Sequence, residues 1–198
     1  MIFPHYEKTK MVYHLVNINY LQEILDTGIS MEGRSNSSGN KYFYFNEFLD
    51  QYKPNNIPPW VIRKKAIFAS LNFKKDTHWH SHSALLAMKI QEDKCWIANE
   101  NLANEIYDPF ILQDIQQFNQ AKKYMEKFGD RRAWEYWENS LSFKENLTIK
   151  RDLRENYDEE VMIFHDIAPR DIQCLMIVTD HCEFTPSKWQ QHYKKISQ

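Results

Sequence analysis

The segment "KKDTHWHSHSALL" places His78, His80 and His82 at alternate positions. In an extended chain, side chains spaced by two share one face, so three imidazoles could begin a metal site. A catalytic zinc needs three converging ligands and an open position. The distant partners on offer are His165, Asp166 and His181, but Trp79 and Ser81 alternate with the histidines and supply no carboxylate to activate water. The triplet therefore reads as a loop beside a strand, with a metal-dependent hydrolase as the alternative and no metal assigned. A second set of groups is more widely spread: Tyr13 and His14 in "MVYHLVNI", Ser70 in "RKKAIFASL", and Glu160 in "EEVMIF". Each of these side chains carries a hydrogen-bonding group that could take part in a site.

The elements that must position these groups follow from pattern. "MVYHLVNI" (11–18) is β-branched and aromatic, as a buried strand is; Asn19 then caps "YLQEILDTG", a short helix stopped by Gly28. The polar run 30–41 reads as a mobile loop, and "YFYFNEFLDQY" fits strand or helix equally. Residues 60–73 read as a strand ending near Ser70, and "SALLAMKI" with "CWIAN" as a hairpin. Residues 100–129 are helical in composition with a break at Pro109, and Asp130 opens an aromatic helix whose Trp134, Trp137 and Leu141 share a core face. Strands return at 159–164 and 172–179, before a helix "PSKWQQHYKKI". Strands at both ends with helices between them predict an α+β class, a mostly antiparallel sheet with helices, in one domain over 1–198.

Composition excludes several functions. The chain has 198 residues, 25 basic and 27 acidic, so it lacks the global positive charge of a dedicated polyanion binder. Four glycines (Gly28, Gly33, Gly39, Gly129) cannot build a G-x-G-x-x-G or Walker loop, and any nucleotide must be held by side chains. Cys95, Cys174 and Cys182 form no C-x-x-C pair, which predicts reduced, buried thiols and excludes a zinc ribbon. No stretch approaches the ~18 apolar residues of a membrane helix, and the expectation is a soluble, cytoplasmic protein.

Two of these motifs together resemble a known family. "VYHLVNINYLQEILDTGI" resembles the opening of ADP-ribosyltransferase-fold proteins, where a strand carrying a histidine leads into a short helix and a glycine. "EEVMIFHDIAPRDI" is similar to the closing motif of that fold, in which a glutamate begins a strand and a proline-containing turn leads to the next. The pattern is closest to the bacterial DNA thymidine ADP-ribosyltransferase toxins, although Val16 stands where those carry a threonine. The resemblance covers roughly 35 residues.

It implies that the sheet is split, and it implies an enzyme that takes NAD as a substrate and transfers ADP-ribose to a macromolecular acceptor, nucleic acid or protein, with release of nicotinamide. Glu160 would be the catalytic residue. His14, Tyr13, Ser70 and Tyr44 would bind NAD, while Arg63, and Arg34 beside it in role, would meet the pyrophosphate through a forked guanidinium. An antitoxin or regulatory partner is implied as well, and no membrane. A non-catalytic binding module on the same fold is the other alternative.

Overall fold

The computed structural model describes residues 3–31, 41–73, 82–180 and 182–196. Its class is α+β, with two four-stranded sheets and helices, and the chain divides into two compact units. The first takes in Met1–Ser30, Ala69–Gln91 and His165–Gln198; the second takes in Met31–Phe68 and Glu92–Phe164. The single domain expected from length thus contains two cores, each assembled from separated stretches.

In the first unit, β1 (Val12–Asn17), β3 (Ser83–Met88), β7 (Ile172–Val178) and β8 (Glu183–Phe184) form an antiparallel sheet in the order β1-β3-β7-β8. All six residues of β3 are buried, as befits a central strand covered on both faces, which explains why "SALLAM" shows no alternation. Helices α1 (Tyr6–Thr9), α2 (Leu21–Thr27) and α8 (Pro186–Ile196) complete the unit. The cap after β1 comes from Asn17 rather than Asn19: its side chain accepts from the Asn19 amide at 2.9 Å and starts the short turn that leads into α2. Gly28 ends α2 with φ +86°. A β-carbon there would lie 2.2 Å from the Ile167 carbonyl oxygen, so both the backbone and the close approach require glycine.

The second sheet consists of β2 (Ile67–Ala69), β4 (Cys95–Asn99), β5 (Leu141–Ser142) and β6 (Glu159–Ile163), ordered β2-β6-β4-β5. The helices of the second unit are α3 (Lys41–Gln51), α4 (Glu100–Leu112), α5 (Asn119–Tyr124), α6 (Asp130–Glu138) and α7 (Phe143–Ile149). Phe45, Leu49, Trp96, Ala98, Ile106, Tyr136, Trp137 and Met162 form its core.

Several local expectations change. "YFYFNEFLDQY" is helical, because Phe45 and Leu49 bury at helical spacing. Residues 60–73 form a 3₁₀ turn at Arg63–Lys65 before a strand of only three residues. The expected hairpin does not exist. β3 and β4 part into different sheets, with Lys89 N donating to Asp171 O and Phe164 N to Lys94 O, both at 2.9 Å. Helix α4 runs through Pro109, and Trp134 is 49 % exposed while Trp137 and Leu141 are buried, since α6 turns its Ala133, Tyr136 and Trp137 face inward. Cys95 is buried, but Cys174 is half-buried and Cys182 exposed, with no disulfide. No described helix is long and apolar enough to cross a membrane.

Candidate functional site

Glu160 is the second residue of β6, opposite Ala98 of β4. The pleat therefore turns its side chain to the same face as Trp96 and Met162, which belong to the helical core of the second unit. A carboxylate on that face must find partners or lose several kcal/mol to desolvation. Arg63 provides them: Nη2 donates to Oε2 at 2.8 Å and to Oε1 at 3.1 Å, with Arg63 2 % and Glu160 5 % exposed. Tyr136 of α6 adds its hydroxyl to Oε1 at 2.5 Å and accepts from Arg63 Nε at 2.9 Å. The guanidinium's other arm, Nη1, donates to the Asn46 side-chain oxygen on α3.

The local sequence explains why Arg63 points inward. Asp50 of α3 accepts the Arg63 amide at 2.7 Å and the Lys64 amide at 3.1 Å, pinning the 3₁₀ turn to the helix. Burial raises the Asp50 carboxyl, and these two amides oppose that rise. The Arg63 guanidinium then lies over the rings of Phe68, Tyr136 and Phe45, at 4.7, 5.3 and 5.5 Å from their centroids. Burial alone would lower the Arg63 pKa, but Glu160 and the phenols of Tyr136 and Tyr42 outweigh it and hold it above its ordinary value. Burial raises the phenols of Tyr42 and Tyr136 in turn, against the pull of Arg63. The result is a closed network of one carboxylate, one guanidinium, two phenols and one amide.

Glu100 stands at the edge of this network. It opens α4 directly after β4, its amide donating to Asp158 O at 2.7 Å, two residues before Glu160 on the paired strand. Desolvation first, then the charges of Glu160 and Asp158, push its carboxyl up to about 7, while Arg63 pulls the other way. Glu100 is an exposed residue, whereas Glu160 is buried.

The remaining expected site residues divide by location. Tyr13 and Ser70 meet in the first unit through a backbone bridge, 2.9 Å from the Tyr13 amide to Ser70 O and 2.8 Å in return. The Tyr13 ring is core, with its hydroxyl donated to Pro4 O at 2.8 Å. His14, next along β1 and opposite Leu86, faces the other side of that sheet. Tyr44, on α3, is 49 % exposed and rests edge-on against Phe43. Arg63 is the phosphate ligand of the sequence reading, yet every donor arm named above is occupied within the protein, and its partner is Glu160 itself. Arg34, His78, His80 and His181 lie outside the described residues.

His82 has φ +57°, lies 3.4 Å from an Asp180 carboxylate oxygen and is largely exposed. Both His165 ring nitrogens are engaged, Nε2 accepting the Gln91 amide at 2.9 Å and Nδ1 lying 2.8 Å from Asp166 O. Among the described residues no group of three or more His, Cys, Asp or Glu side chains is arranged to hold a metal. A cavity of about 270 Å³ in the second unit is lined by Trp96, Ser140, Glu145 and Arg151 among others, but by neither Glu160 nor Arg63.

Asn46 and Glu100 had no place in the sequence reading, and Tyr136 figured there only as one ring of an aromatic helix. Asn46 carried a signal: it is polar, three residues before Leu49 on the apolar face of α3. No protein-family profile, curated protein or solved structure matches this chain.

Proposed function

We propose that the protein is an NAD-dependent mono-ADP-ribosyltransferase that moves ADP-ribose to a macromolecular acceptor and releases nicotinamide. The observation that carries this reading is the Glu160 carboxylate, fixed at the start of β6 by Arg63 Nη2 and the Tyr136 phenol. Cleavage of the nicotinamide to ribose bond develops positive charge on the sugar, and a carboxylate held in place beforehand stabilises that charge without reorganising during the reaction. The α+β class, with two four-stranded sheets, agrees with the coarse architecture that the resemblance implies. His14 and Ser70 are the side chains to hold NAD, and the exposed Tyr44 ring is the remaining candidate to stack on it.

One observation favours a second reading, a binding module that keeps the scaffold without the chemistry. Both Glu160 oxygens are already bonded and the residue is almost fully buried. Incubation with NAD separates the two. Transfer predicts nicotinamide release or self-modification that survives a chelator and disappears in Glu160→Gln, a variant that keeps the side-chain shape. The binding module predicts no release from the wild-type protein, and chelator-sensitive turnover would point instead to the histidine triplet.

A further inference from the structure

We propose that the cavity of about 270 Å³ in the second unit is a binding site for a small zwitterion, a free α-amino acid with an apolar side chain. A short stretch of chain builds most of it. Ser142 caps α7, accepting the Glu145 amide at 3.2 Å, and Lys150 ends that helix in the left-handed region at φ +54°. The chain reverses there. Buried Asp152 fixes the turn, its amide donating to Asn146 Oδ1 at 3.1 Å and its carboxylate accepting from Asn146 Nδ2 at 2.6 Å. Arg151 is thereby carried back to the end of α6, where Nη1 donates to Asn139 O at 3.3 Å. Buried Trp96, Trp137 and Leu141 line the cavity together with Glu138, Glu145 and Arg151. Neither indole has a donor left for a ligand: Trp96 Nε1 donates to Ser140 Oγ at 2.8 Å and Trp137 Nε1 to Leu49 O at 2.7 Å, so both offer apolar surface alone.

The charges of the lining are not paired with one another. Arg151 Nε is buried without an acceptor, Nη2 has none among the described residues, and the carbonyl that Nη1 reaches also takes the Tyr157 hydroxyl at 3.1 Å. The Nε and Nη2 hydrogens lie along one edge of the guanidinium, the edge that a carboxylate engages with both oxygens. An enclosed donor without an acceptor is rare in native proteins and costs free energy until one arrives. Glu138 and Glu145 are exposed, and among the described residues neither forms an ion pair with Arg151 or with another cation. A simple anion would meet two carboxylates and a simple cation would meet the guanidinium, whereas a molecule bearing both charges suits all three groups. An amino acid places its carboxylate on Arg151, its ammonium toward Glu138 and Glu145, and its side chain against the indoles and Leu141. The volume suits a ligand of that size, since sites for larger molecules run to about 300–1,000 Å³. Neither Glu160 nor Arg63 lines the cavity, so the site goes beyond the transfer reading and does not depend on it.

Equilibrium dialysis of the full chain against radiolabelled L-leucine and L-phenylalanine tests the site. Saturable retention of at least one of them, at one site per chain, is expected. On the wild-type protein, the amide and the N-acetyl derivative of that amino acid each lack one charge and should compete more than about tenfold less well. Arg151→Ala, and Glu138→Gln together with Glu145→Gln, should weaken binding by about tenfold or more. Circular dichroism shows whether each variant keeps the fold, and the two derivatives decide the matter on the unaltered chain if Arg151→Ala does not. The proposal is overturned if neither amino acid is retained, if either derivative competes as well as its parent, or if a folded Arg151→Ala variant binds unchanged. Displacement by NAD would overturn it too, since the cavity would then serve the transfer reaction. Absence of nicotinamide release leaves amino-acid binding untouched, so the two readings fail separately.

Discussion

Replacing Arg63 with methionine would leave Glu160 charged and buried with a single phenol as partner. The two N–H···O contacts at 2.8 and 3.1 Å would vanish, and neither residue is reached by solvent to any useful extent. Removing one partner of such a pair costs about 3–5 kcal/mol, because the charge left behind has nothing to offset its desolvation. In a chain of this length each kcal/mol lowers the melting temperature by about 2–4 °C, so Arg63→Met should melt about 6–20 °C below the wild type. Glu160→Gln removes the opposite charge, and the two changes together should cost at least about 2 kcal/mol less than the sum of the single effects, since neither charge is then stranded. Urea denaturation followed by tryptophan fluorescence reads this cycle directly, Trp96 and Trp137 lying in the same core. Additive single effects, or a loss below about 1 kcal/mol for Arg63→Met, would show that the pair is not a coupled element.

Three other outcomes come from different parts of the structure. Gly28→Ala should destabilise the first unit by more than about 1 kcal/mol, seen as a lower urea midpoint, because φ +86° and the Ile167 carbonyl both oppose a β-carbon; an unchanged midpoint would contradict that geometry. Glu100 has its carboxyl raised in the folded state to about 7, so the folded protein binds the extra proton. Its contribution to stability is full below the unfolded carboxylate pKa of about 4.3 and is lost as pH rises through about 7. Glu100→Gln should flatten that part of the stability profile, and an identical profile would refute the assignment. Thiol labelling of the native protein should proceed fastest at exposed Cys182, slower at Cys174 and at Cys95 only on unfolding, since burial also raises the Cys95 thiol.

Much of the frame was legible because it depends on local pattern. β1, β6, β7, α8 and the Gly28 stop all follow from β-branched runs, caps and glycine geometry. The false hairpin at 83–99 shows where local pattern ends. "SALLAM" and "CWIAN" are both buried on two faces, and nothing in either run says which sheet it joins. For the site, Glu160 and Arg63 stood out singly, but their pairing spans 97 positions and depends on Asp50 turning Arg63 inward. Tyr136 looked like one more ring in an aromatic helix, and only its place opposite Met162 and Glu160 distinguishes it.

The proposed transfer reaction requires the protein first to hold NAD. Calorimetric titration of the purified protein with NAD tests that requirement most directly: saturable heat at one site per chain is expected, lost or weakened in His14→Ala. Absence of any heat of binding from a protein that melts cooperatively would contradict it.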